Sequence, residues 1–371
     1  MNRVCTRCIG DNDLKSWIRA KGGPRGCDYC RTSYAPTVEL SELCEHIEFC
    51  ICQYWGRAVD QLPYESAEGG YQGRTWDTYD IVYDKMCLDL PLDQNSSLRY
   101  AILAGVGDEI WCDYDWLSLD EDVAMISSWA RFCEVVKHKR RFFFQDQGYD
   151  PDDRDSHSPL AILHAIATYS EKQQLITMIS PGTKLYRARD DLVHPKHSAD
   201  AFGPPPTYVC QNNRMNPAGV PMFYAAFKRS TAVKEVKATK AALGRFTTTQ
   251  PLRVLDLTQL PPEPGYFADT RRDSAMQISF LNHFANEIMQ PVGRDQLVHV
   301  EYVPSQIVTE FLRDYPFTDG SIDGVLYNSV ASPGAKNVVL FIDTLNAPSP
   351  SASLSGLSPL QFYGAIMHSL S

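Results

Sequence analysis

Two sets of residues in this 371-residue chain have the types and spacing to do chemistry. The first is a cysteine quartet near the start, Cys5-x2-Cys8 and Cys27-x2-Cys30, two knuckles separated by eighteen residues. Thiolates with two residues between them face one ion from a tight turn, and two such turns complete a tetrahedral site. Four sulfurs leave no open coordination position, so the spacing predicts structural Zn2+ held by Cys5, Cys8, Cys27 and Cys30. The second set lies in the other half of the chain. It comprises Leu185-Tyr-Arg187-Ala, Arg214-Met-Asn216-Pro-Ala-Gly219, Phe223-Tyr224 running on to Glu235, and Gly324-Val-Leu-Tyr327-Asn-Ser329. An arginine fork matches phosphate oxygens in two-point contact. A carboxylate stabilises positive charge that develops on carbon, and a tyrosine offers a flat face to a planar group.

Elements must hold these groups in place. The length suggests two or three domains, and 44% hydrophobic with 22% charged residues is enough for ordinary cores. The net charge of -10 argues against a surface built for nucleic acid over the whole protein. Segment 1–31 is an exception, with seven basic and three acidic residues. A divalent ion with four thiolates brings its charge down to about +2, which leaves a nucleic-acid contact open. No run of 18 apolar residues occurs, so no transmembrane helix is expected. No apolar signal core follows Met1, so a cytoplasmic location is expected. Eleven cysteines in such a chain read as thiols and metal ligands.

Residues 37–60 carry an apolar stripe (Val38, Leu40, Leu43, Ile47, Cys50, Ile51, Tyr54, Trp55) that predicts an amphipathic helix. Further helices are expected over about 78–88, 95–105 and 120–138, and the acidity of 77–122 reads as a solvated surface. Cys44, Cys50, Cys52 and His46 do not converge on one helix face and read as core. The polar, turn-rich stretch 145–158 reads as a linker. Beyond it the pattern becomes α+β. A helix near 159–179 is followed by strands over 183–188, 222–225, 253–257, 297–303, 324–327 and 337–342, with helices over 232–240, 280–289 and 305–314. His194-x2-His197 reads as a solvated loop. Residues 346–357 form a Ser/Pro-rich linker, and Leu360, Tyr363, Ile366, Met367 and Leu370 predict a closing amphipathic helix. The domains are therefore 1–34 (zinc unit), 35–150 (helical), 151–178 (linker and leading helix), 179–345 (catalytic) and 346–371 (linker and helix).

The order Arg187, Glu235, Ser329, with its flanking motifs, resembles the RES family, from about 183 to 343. Segment 35–150 resembles the HEPN-like helical domain found ahead of some RES domains. The resemblance implies an ADP-ribosyltransferase-like mixed α/β fold that degrades NAD+, as glycohydrolase or phosphorylase, in a toxin of a toxin–antitoxin pair or an antiphage defence effector. Two departures stand out. Asn213 and Met215 flank Arg214 where the family often has Gly and an aromatic residue, and Ala188 follows Arg187 where an aromatic residue is common.

The nicotinamide of NAD+ is already a cationic leaving group, so no general acid is needed and positive charge grows at the anomeric carbon. The resemblance then gives each residue a role. Glu235 faces that carbon and the ribose hydroxyls. Arg187 grips the pyrophosphate, with Arg214 as second choice. Ser329, after Tyr327, donates to a phosphate or to the carboxamide. Tyr224 stacks on nicotinamide, and Gly219, beside Asn216, allows close backbone approach. Alternatives remain open. The acceptor is water, phosphate or a protein, which would make the enzyme an ADP-ribosyltransferase. Arg131 and His138 fit loosely the Arg-x4–6-His pattern of HEPN ribonucleases, although Phe132 stands where a polar residue is usual. A non-enzymatic module is a further reading. An NAD+ hydrolase must be restrained in its own cell, so a regulatory or antitoxin protein partner is expected; homo-oligomerisation is left open.

Overall fold

The structure is a computed structural model that describes residues 2–93, 96–114, 118–144, 149–150, 152–190, 198–236, 240–290, 297–342 and 359–369. The Ser/Pro-rich segment 346–357, His194-x2-His197, and 145–148 with Pro151 of the polar linker lie outside the described residues. The chain divides into two compact units, Met1–Glu121 with Pro262–Gln277, and Asp122–Pro261 with Ile278–Ser371.

In the first unit, Ala35–Glu39 is the central strand of a small antiparallel sheet, between Arg3–Cys5 and Gly23–Arg25. Asp11 starts the helix Asn12–Lys21 by accepting from Leu14 N at 2.8 Å, which satisfies one of the amides a helix start leaves open. The stripe expected over 37–60 forms the helix Leu40–Tyr54, with Leu43, Ile47, Cys50 and Ile51 buried. Both flanks are strands: Ala35–Glu39 before it and Trp55–Arg57 after it, the latter paired with Ile110–Asp113. Cys44 and Cys50 are core residues as expected, whereas Cys52 is exposed. His46 stacks on Trp17, with centroids 4.3 Å apart, and its Nε2 donates to Phe267 O at 3.2 Å. Phe267 is fully buried in this core.

The second unit begins with α1 (Glu121–His138) and α2 (Pro159–Lys172). Met125, Trp129, Phe132 and Val136 recur at helical spacing, so α1 has one apolar face to bury. That face packs with Ile162 and Ile166 of α2 and with Phe280 and Phe284 of a later helix, α4 (Arg272–Met289). Helix α2 starts at Ser158, whose hydroxyl accepts from Ala161 N at 3.1 Å, with Pro159 pre-set for the first turn.

Eight strands form one mixed sheet. They are β1 (Ile176–Ile179), β2 (Lys184–Asp190), β3 (Phe223–Ala226), β4 (Lys240–Thr248), β5 (Leu252–Asp256), β6 (Gly324–Asn328), β7 (Lys336–Leu340) and β8 (Leu360–Ser369), in the order β8-β4-β2-β3-β7-β6-β5-β1. Only β5 and β6 run parallel. Helix α3 (Arg229–Val236) follows β3, and α5 (Val303–Asp314) precedes β6. Gly324 lets β6 lie close to β7: a Cβ there would sit 2.2 Å from Val339 O.

Four expectations need correction. The helix expected near 159–179 ends at Lys172, and Ile176–Ile179 is strand β1, paired with β5. The closing segment is not a helix but β8, paired along β4 from Lys240 opposite Ser369 to Thr248 opposite Leu360. Leu360 is buried and Phe362 half-buried, so the apolar pattern is also readable as alternation, and the unpaired edge of β4 decides between the two. The segment 297–303 is a helical turn, Val298–Glu301, running into α5, although its valines favour a strand. The helix expected over 232–240 is α3, which ends at Val236, and the chain is already strand β4 from Lys240.

Candidate active site

The sheet splits between β2 and β3. One residue pair, Tyr186 opposite Ala226, joins them, whereas β2 pairs with β4 over its whole length. Past that pair the two strands diverge, and the gap between them is a cleft of about 650 Å3. This is the size of a small-molecule site. Arg187 and Arg189 of β2, Tyr224 of β3, Asn216 of the preceding loop, Glu235 of α3, and Tyr327 and Asn337 of the β6–β7 hairpin all line it.

Glu235 reaches the cleft because α3 buries Ala232 and Val233 against Tyr186, Ala188 and Leu243. Residues three apart on a helix share a face, so Glu235 follows Ala232 to the rim of that contact. Two donors meet on its Oε1: Ser329 Oγ at 2.6 Å and Asn337 Nδ2 at 2.8 Å. Ser329 sits just past β6 and is buried, and its Oγ in turn accepts from Ser332 N at 3.0 Å. A serine has one hydrogen to give, and Ser329 gives it to Glu235. It therefore stands behind the carboxylate and not at the position expected for a donor to phosphate or carboxamide.

Arg187 is 9% exposed and lies over the Phe223 ring, 5.2 Å from its centroid. Its Nη1 is buried without a hydrogen-bond partner. Burial, and then the like charge of Arg189, hold this guanidinium well below its ordinary pKa. Arg189 shares the strand face two residues on, about 6.6 Å further along the backbone. Its Nη2 donates to Gly203 O at 3.5 Å, its Nε is buried without a partner, and burial lowers its pKa as well. Two guanidiniums penalised in this way are relieved by an anion arriving between them.

The loop before β3 is tightly fixed. Tyr224 OH donates to Asn216 Oδ1 at 2.8 Å and accepts from Met215 N at 3.2 Å. Burial, then proximity to Tyr327, raises the Tyr224 pKa, so the phenol stays neutral. Burial, then Glu235, does the same for Tyr327. Asn216 is fully buried, and Gln306 Nε2 of α5 reaches Asn212 Oδ1 and Asn213 O, both at 2.7 Å. Gly219 is not a point of close approach, since a Cβ there would meet nothing within 4 Å. Its φ of +87° is the reason for glycine, and its N–H closes the loop on Cys210 O at 3.1 Å.

Arg214 is turned away from the cleft. Its Nη1 donates to Ile288 O and its guanidinium lies over Tyr302, 5.3 Å from the centroid. It lines a second cavity of about 470 Å3 in the same unit, with Trp129, Lys137, His138, Glu287 and Glu301. There Lys137 pairs with Glu301 at 2.6 Å and Trp129 Nε1 donates to Glu287 at 2.5 Å. His138 opens onto this cavity 3.9 Å from Glu134, whereas Arg131 donates to Ser156 Oγ at 2.8 Å. Arg131 and His138 lie seven positions apart on α1, close to the same face and about 10 Å apart along its axis.

In the first unit the Sγ atoms of Cys5, Cys8, Cys27 and Cys30 lie within 4.8 Å of one another. The separations are 3.4 Å for Cys5–Cys30, 3.6 Å for Cys8–Cys27 and 3.9 Å for Cys5–Cys8. A tetrahedral ion with bonds of about 2.3 Å sets its sulfurs about 3.8 Å apart. The hydrogen bond between Cys8 and Cys27 pulls the Cys27 thiol well below the ordinary range and pushes Cys8 up. The cluster thus already favours a thiolate, and it can hold a metal ion.

Two cleft residues escaped the sequence reading. Arg189 repeats Arg187 at strand period, and Asn337 is the lone amide in an apolar strand; both signals are visible once the strands are known. Among the described residues, no helix is long and apolar enough to cross a membrane. No curated protein and no solved structure matches the chain. Two family models do: HEPN/RES N-terminal domain 1 over residues 20–150, and the RES domain over 184–354, which contains every cleft residue named above. The RES match supports an NAD+-related enzymatic function at the level of the family. The chain thus carries a segment matching HEPN/RES N-terminal domain 1 ahead of a cleft-bearing segment that matches the RES domain.

Proposed function

We propose that this protein degrades NAD+ by cleaving its nicotinamide–ribose bond, with water or phosphate as acceptor. The observation that carries this is Glu235, fixed by Ser329 and Asn337 in a cleft whose other wall holds two arginines with unpartnered nitrogens. The pyrophosphate bridges Arg187 and Arg189, which relieves their mutual repulsion. The nicotinamide ring lies against Tyr224, whose hydroxyl is locked by Asn216. Glu235 then stands at the ribose, where its negative charge stabilises the cation that forms as the bond lengthens. Ser329 holds that carboxylate in place and touches no substrate. Arg214 supports the loop through Ile288 O instead of binding phosphate.

Such an activity suits a toxin or defence effector under the control of a partner protein. The N-terminal half fits regulation or assembly, since Arg131 is engaged by Ser156. NAD+ pools in cells expressing wild type beside Glu235→Ala test the reading. Collapse of the pool with wild type and a normal pool with the variant are expected; equal pools at equal protein level count against it.

The cysteine cluster is assigned Zn2+ with a structural role, on its four-sulfur donor set and its spacing. One zinc per chain is expected by metal analysis. Replacing Cys8 and Cys27 with serine should remove the metal and the cooperative melting of the first unit. Metal-free native protein of unchanged stability contradicts the assignment.

A further inference from the structure

Glu235 has a neighbour whose hydrogen-bonding capacity is only half engaged. Asn337 lies on β7, opposite Ala226 of β3 and Tyr327 of β6, and is 4% exposed. Its Nδ2 donates to Glu235 Oε1 at 2.8 Å. That bond settles which way the amide points, because a flipped amide would set its carbonyl oxygen against a carboxylate. Asn337 Oδ1 is therefore held on the other side, where it is buried and has no hydrogen-bond partner. Buried carbonyl acceptors are nearly always paired. This one belongs to a residue that lines the cleft, beside the carboxylate that meets the sugar. Glu235 and Asn337 Oδ1 are thus two acceptors close together, with one Asn337 amide hydrogen used on the carboxylate and the Tyr327 hydroxyl also beside Asn337. Adjacent hydroxyls that each donate one hydrogen bond, the cis-diol of a ribose, complement that pair.

We propose that Asn337 both positions Glu235 and reads the substrate: its amide hydrogen fixes the carboxylate, and its carbonyl accepts a hydroxyl of the nicotinamide ribose. The inference rests on the NAD+ reading above and adds a sugar requirement to it. The enzyme should demand an intact ribose diol on the nicotinamide side, with Asn337 and Glu235 each holding one hydroxyl.

The test combines a change in the protein with a change in the substrate. Full-length wild type, Asn337→Ala and Asn337→Asp are compared on NAD+ and on analogues lacking either hydroxyl of the nicotinamide ribose. Ratios between enzymes cancel the analogues' own reactivity. Wild type should prefer NAD+ over one analogue, and Asn337→Ala should lose about tenfold of that preference, the scale of one hydrogen bond to a substrate hydroxyl. Asn337→Asp is nearly isosteric and keeps an acceptor, so it should retain the preference. Its kcat should fall, and fall further as pH rises, because two adjacent carboxylates tolerate one proton better than none. Wild type should lack that limb. If folded Asn337→Ala discriminates as wild type does, Asn337 does not read the sugar. If Asn337→Asp shows the wild-type pH profile, it does not position Glu235. Should Asn337→Ala fail to fold, Asn337→Leu, similar in volume and without an acceptor, replaces it in the analogue comparison, and Asn337→Asp still decides the positioning of Glu235 through its pH profile. Wild type inert toward NAD+ overturns the underlying reading, and that outcome is seen before any variant is made.

Discussion

The loop before β3 contributes to two cavities that treat their polar groups in opposite ways. Asn216 faces the cleft, and Arg214, two residues earlier, lines the second cavity. In the second cavity the charges answer one another: Lys137 meets Glu301, Trp129 meets Glu287, and Arg214 meets Ile288 O and the Tyr302 ring. In the cleft, Arg187 Nη1, Arg189 Nε and Asn337 Oδ1 are all buried and unpartnered. Each such group costs about 1–3 kcal/mol in the free protein. Packing alone gives no return for three of them in one place, but a ligand that pairs them does. On the proposed reading, the contrast separates a region that folding completes from one that a ligand completes.

Substitutions at matched positions can break this contrast. The largest effect is expected at Glu235. Its glutamine variant keeps shape but not charge, and kcat should fall by about 10²–10³ with the fold intact. A drop of less than threefold in a folded variant would remove Glu235 from the transition state. Arg187→Ala comes next. On the proposed reading the guanidinium meets the pyrophosphate before and during bond cleavage, so KM should rise roughly ten- to a hundredfold, at least as much as kcat falls. Arg187→Lys should restore little, because a lysine lacks the fork. An unchanged KM in Arg187→Ala would show that the pyrophosphate lies elsewhere.

Ser329→Ala removes one hydrogen bond to a carboxylate. About a tenfold loss in kcat with KM nearly constant is expected. A KM effect larger than the kcat effect would put Ser329 back on the substrate. Arg214→Met should be smallest in catalysis, with KM within about threefold of wild type. Its cost should appear as stability, about 1–3 kcal/mol by denaturant melt, since Ile288 O loses its donor. A KM rise matching that of Arg187→Ala would place Arg214 on the phosphate after all.

Part of the candidate site was legible in sequence because its residues are tied to local signals. Arg187, Tyr224 and Glu235 sit on a strand, the next strand and the helix after it, and all three line one cleft. Their orientation was less legible. Ser329 and Arg214 carry the right chemistry for phosphate, but their hydrogen bonds are used within the protein, and only tertiary contacts reveal that. Asn337 hid in the strand Lys336–Leu340, where the apolar run speaks for the core and the amide's partner lies 102 residues away. The same limit explains β4 and β8. Ala241, Ala242 and Leu243 are good helix formers and become a strand by pairing with β2 and β8. The knuckles needed no such help, since Cys-x2-Cys fixes its geometry within a single turn.

The most direct test is release of nicotinamide from NAD+ by purified protein, followed with and without phosphate. Catalytic release is predicted, with ADP-ribose or its 1″-phosphate as co-product, and its loss in Glu235→Gln. Folded wild type that leaves NAD+ intact, or releases nicotinamide equally well without the Glu235 carboxylate, contradicts the account.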